Sequence, residues 1–455
     1  MTRRSLSHGS SWSPLVRLTT LAAALLTALV VAACGGNDDK NSNGASSGSS
    51  PSAAGSPQAK EFRQLLGITD AEAAKLKGKT FKIGSILPLS GPGANFAVDE
   101  GNGTKLAIDE MQRYLGLKVD YKSLDNKTGD PQAGAATARE LGIGGYGAVV
   151  NSYGGAFGST LPALAQYKML SFDPGGGTQN TFQGKPYFWG FRGTTPDTGY
   201  PFLQYFKAEI QAAKRFAIVV YDAGAAYADP VIANAKKQAA LAGLTFAGVV
   251  KAPIGATDYA TVLSKLKGLT PDIISIGLYG ADPGYFMKQY ATSGLAAQVV
   301  GGELTPTGAK IAGAGYKNYW FAADFFDVNH PANPLSKHFL TEYKRKFGEA
   351  PATFYQPNYY EGTIAFLQLA VRVVDKGGDI NSGEQLQQAL LANPTFKSVY
   401  GGDDKTVGTL TLNTTTHDPT TRPIGLFTVQ PEVKKLAEWN IDGGSFKVVS
   451  KPPAE

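Results

Sequence analysis

Short apolar runs alternate with helix-patterned stretches along most of the chain, and this alternation constrains the fold more than any other feature. In the first half, the apolar runs predict strands at 81–87, 117–124, 147–153 and 168–173. The stretches between them predict helices at 96–114, 132–141 and 159–167. An order of strand, helix, strand, helix predicts a parallel sheet with helices on both of its faces.

The same order returns in the second half of the chain. Four more predicted strands lie at 215–222, 244–253, 271–280 and 297–304. Helices are predicted near 228–242, 257–267 and 282–293, and a longer one at 359–376. The C-terminal part predicts antiparallel strands at 408–413, 424–430 and 434–440. The predicted fold class is therefore α/β, with two doubly wound parallel-sheet lobes.

The N-terminus has the organisation of a secretory signal. Arg3, Arg4 and Arg17 are its only ionisable residues besides one His, and the apolar stretch at 18–33 is shorter than the ~20 residues of a membrane-spanning helix. The prediction is a signal peptide over 1–33, and the alternative is a short anchor helix that is retained. The segment VAACG around Cys34 resembles the bacterial lipobox, which implies cleavage before Cys34 and acylation of its thiol and new amine.

The residues after Cys34 are rich in Gly, Ser, Asn and Pro and have no apolar period. Such a segment buries too little surface to offset the entropy of ordering it, so 34–58 is predicted to be a lipidated flexible tether. A short helical extension is predicted over 59–79, because Thr69 and Glu72 have the spacing of a capping box.

Composition and charge exclude several classes of protein. A single Cys rules out an internal disulfide framework and a multi-cysteine metal site, and four His make a His-rich metal centre improbable. The chain has 43 basic and 37 acidic residues, and three of the basic ones lie in the predicted signal peptide, so the rest has a net charge of only +3. This mild charge does not indicate a nucleic-acid partner.

Two motifs that suggest enzymes lack the structural context they need. The GxGxxG at 142–147 follows a predicted helix and precedes a strand, the reverse of a dinucleotide-binding turn. The GxSxG at 44–48 lies in the predicted tether, where no nucleophile elbow can form. The sequence therefore predicts no enzyme, no cofactor and no metal.

The loops after the predicted strands are the candidate binding site, since open α/β sheets bind ligands at the carboxyl ends of their strands. Glycine-rich loops at 154–160 and 174–178 follow two strands of the first unit, and glycine lets backbone N–H groups approach an anionic ligand. Plain turn chemistry is the alternative for either loop alone. In the second unit Glu303 follows a buried strand, and a carboxylate there needs a partner such as an ammonium group.

From Thr80 to its end, the chain resembles the leucine/isoleucine/valine-binding type of periplasmic solute receptor, a branch of the type I binding proteins that serve ABC importers. The resemblance rests on the opening IGSILPLSGP at 83–92, the loop DNKTGDP at 125–131 and the segment FRGTTPD at 191–197. It implies two lobes joined by three linking segments, near 192–197, 321–327 and 408–412. The implied lobes are 80–197 with 325–408, and 198–324 with 409–455.

The resemblance also implies which residues contact the ligand. Glu303 matches the acid that meets an amino group, and the loop after Asp173 matches a segment that holds a carboxylate. One departure is that Ala156, Phe157 and Gly158 replace a Ser-rich loop of the amino-acid receptors. Either Tyr153 and backbone N–H groups replace the hydroxyl, or the ligand is not an α-amino acid. The predicted ligand-binding residues are Tyr153, Gly154, Phe157, Gly175, Gly176, Gly177, Thr178, Asp197, Tyr227, Tyr279, Glu303, Phe354 and Tyr355.

The implied function is that of an extracytoplasmic receptor that passes a small polar solute to an ABC permease. The solute would be a branched-chain-like amino acid, an amide or an organic acid, and the protein would be lipid-anchored on the outer face of a bacterial cell membrane. The alternative is a ligand-sensing ectodomain of the same fold without a transport role; neighbouring permease and ATPase genes would distinguish the two.

Replacing Cys34 by Ser is expected to release the protein from lipid anchoring and to leave solute binding unchanged. Stable anchoring takes two or more acyl chains, and both predicted attachment points depend on this residue. Metabolic labelling with a fatty acid and membrane fractionation measure the effect. A Cys34→Ser protein that still takes up the label contradicts the prediction.

Overall fold

The computed structural model describes residues 54–91, 93–152, 157–176, 182–192, 200–222, 224–324, 326–441 and 446–453, without the side chains of Asn95, Phe157 and residues 225–227. The predicted signal peptide, Cys34 and most of the predicted tether lie outside these ranges. Among the described helices, none combines the length and the apolar character that a membrane crossing requires.

Five parallel strands form the first sheet, in the spatial order β2-β1-β3-β4-β5. They are β1 (Thr80–Leu87), β2 (Lys118–Asp125), β3 (Ala148–Asn151), β4 (Leu170–Asp173) and β5 (Phe188–Gly190). The first four confirm the strands predicted from the apolar runs. β5 is too short to give an apolar period, which is why the sequence did not predict it.

Eight strands form the second sheet, in the order β15-β14-β13-β10-β9-β8-β6-β7. The parallel part contains β6 (Arg215–Tyr221), β7 (Thr245–Ala252), β8 (Ile273–Gly277), β9 (Gln298–Gly301) and β10 (Tyr319–Ala323). The antiparallel part contains β13 (Pro423–Thr428), β14 (Lys435–Asn440) and β15 (Phe446–Val448). A separate antiparallel pair consists of β11 (Thr395–Gly402) and β12 (Val407–Thr411).

The helices confirm the predicted alternation. They are α1 (Pro57–Leu66), α2 (Asp70–Leu76), α3 (Ala94–Leu115), α4 (Pro131–Ile143), α5 (Phe157–Gln166), α6 (Phe202–Glu209), α7 (Ala225–Leu241), α8 (Ala260–Leu269), α9 (Asp282–Tyr290), α10 (Pro306–Ala312), α11 (Pro334–Phe347), α12 (Tyr355–Asp375) and α13 (Gly383–Ala392). The GxGxxG motif comprises the last two residues of α4 and the four residues before β3, so it is the helix-to-strand connection that the sequence predicted.

The N-terminal extension is part of the first hydrophobic core. The capping box at Thr69 is present, with its hydroxyl accepting from Glu72 N–H. α1 begins at Pro57, two residues before the predicted start of the extension at 59, because the Ser56 hydroxyl caps it and proline suits the first position of a helix. Phe62 is fully buried against Tyr114.

The chain passes between the two sheets three times: after β5, after β10 and after β12. The third passage differs from the prediction, because the expected boundary at 408/409 falls inside β12. This strand pairs with β11, and its Leu410 is buried in the core that covers the first sheet, as is Leu412. The third linking segment therefore follows Leu412, and not 408–412 as predicted.

One buried carboxylate connects all three passages. Asp324, directly after β10, accepts from Arg192 Nε at 2.7 Å, and Arg192 lies two residues after β5. Its other oxygen is 3.6 Å from Arg422 Nη1, and Arg422 directly precedes β13. Asn358 of α12 donates to that same oxygen at 3.2 Å.

A second acid completes this hinge cluster, which we define as Arg192, Asp324, Glu361 and Arg422. Glu361 of α12 accepts from Arg422 Nη2 at 2.5 Å and from the Ser398 hydroxyl. Arg422 also donates to the carbonyl of Phe191 at 2.7 Å. Two cations thus face two anions at side chains that are 0–11% exposed. Burial on this scale is tolerated when the charges are paired.

We expect Asp324→Ala to destabilise the protein by about 3–5 kcal/mol, because it leaves Arg192 and Arg422 buried without their shared partner. Urea unfolding followed by circular dichroism measures the change. Asp375→Ala is the matched control: Asp375 pairs with Lys75 at the surface and is 52% exposed, so its loss is expected to cost about 1 kcal/mol or less. Equal effects of the two substitutions would contradict this role of Asp324.

Candidate functional site

Glu303 follows β9 by two residues and is buried at the carboxyl edge of the second sheet, with 1% of its surface exposed. Its Oε1 accepts a short hydrogen bond from the Gly280 N–H. Its Oε2 is also buried and has no hydrogen-bond partner within the described part of the chain. Burial raises the pKa of Glu303 to about 7, against the opposing influence of Gly280 N–H and Arg192.

Two glycines make this placement of Glu303 possible. Gly301 of β9 leaves room for the Tyr319 hydroxyl, which would lie 1.9 Å from a Cβ there and which donates to the Glu303 carbonyl at 2.6 Å. Gly280 has φ of +67°, a conformation that glycine adopts without strain, and its N–H points at the carboxylate. The sequence around both strands therefore holds the Glu303 backbone and side chain in place.

Glu100 provides a second buried carboxyl, from α3 at the carboxyl edge of the first sheet. Its Oε1 accepts from the Ser152 hydroxyl at 2.6 Å, just after β3. Its Oε2 has no hydrogen-bond partner among the described residues, and the nearby Tyr359 hydroxyl donates to the carbonyl of Asn151 at 3.1 Å. Burial raises the pKa of Glu100 to about 8.

Asp173 ends β4 and is the third buried carboxyl at these strand ends. Its Oδ1 accepts from the N–H groups of Gly175 and Gly176, at 2.9 and 3.3 Å. Its Oδ2 has no hydrogen-bond partner in the described ranges. Burial raises the pKa of Asp173 to about 7, although both glycine N–H groups and Arg192 oppose the shift.

This geometry changes the role that the sequence predicted for the second glycine loop. The N–H groups of Gly175 and Gly176 were expected to hold the anionic end of a ligand. In the structure both are already donated to Asp173, because the loop turns back over the end of β4. Neither N–H is free for a ligand carboxylate in this arrangement.

Arg192 connects the hinge cluster to these strand ends. Besides its bond to Asp324, it donates to the Gly175 carbonyl at 3.2 Å. Its guanidinium lies over the Phe354 ring, 3.7 Å from the centroid. Its charge is therefore compensated by a carboxylate, a carbonyl and an aromatic face.

Tyr355, at the start of α12, is influenced by charged groups of both sheets. Burial raises the pKa of its hydroxyl, and the next influences are Glu303 of the second sheet, then Arg192 and Glu100 of the first. Its ring packs on Phe354, with centroids 4.3 Å apart. Glu303 of the second sheet and Arg192 and Glu100 of the first thus all influence the titration of one hydroxyl group.

The structure describes only part of the predicted site. Glu303, Phe354 and Tyr355 are buried and close to one another's charges or rings, as described above. Tyr279 follows β8, and its backbone N–H donates to the Tyr221 hydroxyl at 2.9 Å. Phe157 and Tyr227 lie in the first turns of α5 and α7, with side chains that are not described. The predicted residues outside the described ranges are Tyr153, Gly154, Gly177, Thr178 and Asp197.

Sequence reasoning missed Glu100, Asp173 and Arg192. Glu100 had a usable signal, because it lies seven and eleven residues before Ala107 and Met111, on the apolar face of α3. Asp173 ends a predicted strand, and Arg192 lies inside the quoted segment FRGTTPD. Within the described ranges, no group of three or more His, Cys, Asp or Glu residues is arranged to hold a metal ion.

Comparison with known proteins identifies the family. A family model described as periplasmic binding protein matches residues 80–430. The chain belongs to the periplasmic binding protein family. Among curated proteins, this periplasmic binding protein is 22% identical over 336 residues to Leu/Ile/Val-binding protein homolog 7 of Brucella abortus (strain 2308), covering 68% of this chain and 81% of that one.

Solved structures share the fold of this periplasmic binding protein. A branched-chain amino acid transporter binding protein of Streptococcus pneumoniae, in complex with isoleucine, has a TM-score of 0.65 at 20% identity and covers 78% of this chain and 99% of its own. A solute binding protein from R. palustris, in complex with benzoate, has a TM-score of 0.66 at 15% identity and covers 82% and 98%. The fold is the type I periplasmic binding protein fold, and the family consists of binding proteins, not enzymes.

The raised pKa of Glu100 predicts how stability depends on pH. The unfolded chain loses this proton near pH 4.5, whereas the folded protein keeps it to about pH 8, so the folded state binds more protons in that window. Its contribution to stability therefore falls as pH rises from 4.5 to 8. Above pH 8, Glu100→Gln is expected to stabilise the unliganded protein by on the order of 3 kcal/mol.

Urea unfolding at pH 5 and pH 8.5 measures this effect. Glu140→Gln is the control, since Glu140 is 52% exposed and pairs with Lys122 at the surface. Parallel pH profiles for wild type and Glu100→Gln would show that Glu100 titrates as it does in the unfolded chain.

Proposed function

We propose that this protein is the extracytoplasmic receptor of an ABC importer and delivers a small polar solute to a membrane permease. Membership of the periplasmic binding protein family supports this role. The observation that carries it is a set of buried, incompletely paired carboxyl groups near the strand ends of both sheets, Glu303 in the second and Glu100 and Asp173 in the first. A ligand that contacts both sheets can bring them together, and this change of conformation distinguishes the liganded receptor from the unliganded one.

The proposed mechanism is closure of two lobes about the hinge cluster. The lobes are 80–197 with 325–408 and 198–324 with 409–455, and the structure favours extending the first through Leu412. A solute that contacts both lobes binds the closed form more tightly, so it shifts the equilibrium toward closure. Closure excludes water, and electrostatic contacts inside the site become stronger as a result. The closed form would then dock on the permease.

The chemical class of the solute is bounded by Glu303 and by the structural neighbours. Those neighbours were solved with isoleucine and with benzoate, so a branched-chain-like amino acid, a related amide and an organic acid are the candidates. Glu303 would serve as the counter-charge of an amino group. Its free Oε2 supports that role, because a buried carboxylate oxygen gains most from a charged donor.

The proposed location is the outer face of a bacterial cell membrane. The basic and apolar segments of residues 1–33 support secretion, and the lipobox resemblance at Cys34 supports acylation. The Gly- and Ser-rich residues that follow would let the receptor reach its permease while anchored.

Solute-induced closure is the decisive test. Amino acids, amides, aromatic acids and amines are screened with the purified full-length protein by thermal shift, because a solute that binds only the folded state raises the midpoint. Closure is measured by energy transfer between dyes on Val98→Cys and Ile254→Cys, introduced together with Cys34→Ser. Both positions are exposed, one on α3 beside the first sheet and the other after β7 of the second.

We expect at least one solute to raise the midpoint and to change the energy transfer with the same concentration dependence. Glu303→Ala is expected to abolish binding of amine-bearing solutes. If no solute in these classes affects either signal, the proposed receptor function is wrong.

A further inference from the structure

The strand ends of both sheets present hydrogen-bond acceptors that nothing in the described structure satisfies. The atoms are Glu100 Oε2, Asp173 Oδ2 and Glu303 Oε2, each buried on a side chain that is at most 2% exposed. Burying a carboxylate oxygen without a donor is costly, and a ligand that supplies the donor recovers that cost. All three therefore favour a ligand rich in N–H groups.

Among the described residues of this region, several donors that could meet an anionic ligand already have partners within the protein. The guanidinium of Arg192 is already bound to Asp324 and to the Gly175 carbonyl, and it covers the Phe354 ring. The N–H groups of Gly175 and Gly176 are donated to Asp173. The N–H groups of Gly175 and Gly176 and the Nε and Nη1 of Arg192 are thus engaged within the protein, whereas one oxygen of each acid has no donor.

The distribution of the acids over the two sheets adds a geometric condition. Glu303 lies at the edge of the second sheet, and Glu100 and Asp173 lie at the edge of the first, both near Tyr359. A solute with one basic group meets only one side. A solute with a basic group at each end meets both, and it would draw the sheets together through two charge-assisted hydrogen bonds.

We propose that the solute of this receptor is a small dication with an amino or amidino group at each end, of the α,ω-diamine class. This inference rests on the proposed function and specifies its ligand. One basic group binds Glu303, and the other binds Glu100 and Asp173. The buried aromatic rings of Tyr355 and Tyr359 flank the apolar middle of the solute and favour a nearby cation.

A carboxylate on the solute requires the protonated form of any of the three acids that it approaches. Benzoate would bring only a negative charge toward the acids, so each facing acid would have to keep its proton, whereas leucine would bring its carboxylate to one side and its ammonium group to Glu303. A dication requires the acids to ionise and therefore releases protons on binding. The pH dependence of affinity consequently has opposite signs for a dication and for benzoate.

Other charges and hydroxyls facing the three acids influence this titration. Asp99 and Tyr359 face Glu100, Arg192 and Tyr359 face Asp173, and Arg192 and Asp282 face Glu303. Glu303 also interacts electrostatically with the hydroxyl groups of Tyr316, Tyr319 and Tyr355. The acids titrate near pH 7–8 in this setting, which places the expected proton release between pH 6 and 8.5.

The test is calorimetric titration of the full-length protein with 1,4-diaminobutane, 1,5-diaminopentane, butylamine, leucine and benzoate. We expect a diamine to bind at least about 10-fold more tightly than butylamine, since its second amino group adds a charge-assisted hydrogen bond. Its affinity is expected to rise from pH 6 to 8.5, with proton release that shows as a dependence of the heat on the buffer.

Isosteric substitutions locate the two ends of the site. Glu303→Gln and Glu100→Gln are each expected to weaken diamine binding about 10-fold or more. Butylamine has one basic group, so at most one of the two substitutions is expected to weaken its binding as strongly. Glu110→Gln is the matched control, because Glu110 is buried but both of its oxygens are paired, with His338 at 2.9 Å and Tyr360 at 2.7 Å. Its diamine affinity is expected to equal that of wild type. The wild-type pH profile tests the proposal independently of how well any variant folds.

The outcomes separate this inference from the proposed function. If leucine or benzoate binds and closes the protein while neither diamine does, the receptor function stands and the dication assignment is wrong. The assignment is also wrong if diamine affinity falls as pH rises. If no solute of any class binds, the proposed function itself fails.

Discussion

The carboxylate of Asp324 is the point on which the two halves of the molecule depend. Its two oxygens bind Arg192 after β5, Arg422 before β13 and Asn358 of α12. All three passages between the sheets are thereby tied to one residue. Because the cluster is buried and its charges are paired, it fixes the linking segments relative to one another. An ion pair at the surface would contribute little to their stability. Any movement of the sheets about these segments must keep or replace these bonds.

The hinge cluster also reaches the candidate site through a single side chain. Arg192 binds Asp324 on one side, and on the other it contacts the Gly175 carbonyl and the Phe354 ring. The glycine loop, the aromatic wall and the hinge therefore share one guanidinium. This arrangement explains why Arg192 neutralises the hinge and still lowers the pKa values of Asp173 and Glu303, without being available as a free cation for a ligand.

The candidate site lowers the stability of the unliganded folded protein. Glu100, Asp173 and Glu303 each satisfy one oxygen with the chain and leave the other buried without a donor. Burial raises all three pKa values into or near the neutral range. Buried acids with raised pKa values cluster at functional sites. A carboxyl oxygen that has no donor within the protein can accept a hydrogen bond from a ligand. The type I periplasmic binding fold positions them: Asp173 ends β4, Glu303 follows β9, and Glu100 of α3 accepts from Ser152 after β3.

The sequence by itself determined the alternation of strands and helices, the capping box at Thr69 and the position of Glu303 after a buried strand, because these follow from local periodicity and spacing. Only the tertiary structure decided that Gly175 and Gly176 serve Asp173, that Leu410 and Leu412 belong to the first core, and that Arg192, Asp324 and Arg422 meet. The reason is separation along the chain. Those three residues are 98 to 230 positions apart. Local sequence patterns do not indicate which charged residues will pair, because the pairs form only when the sheets bring distant segments together.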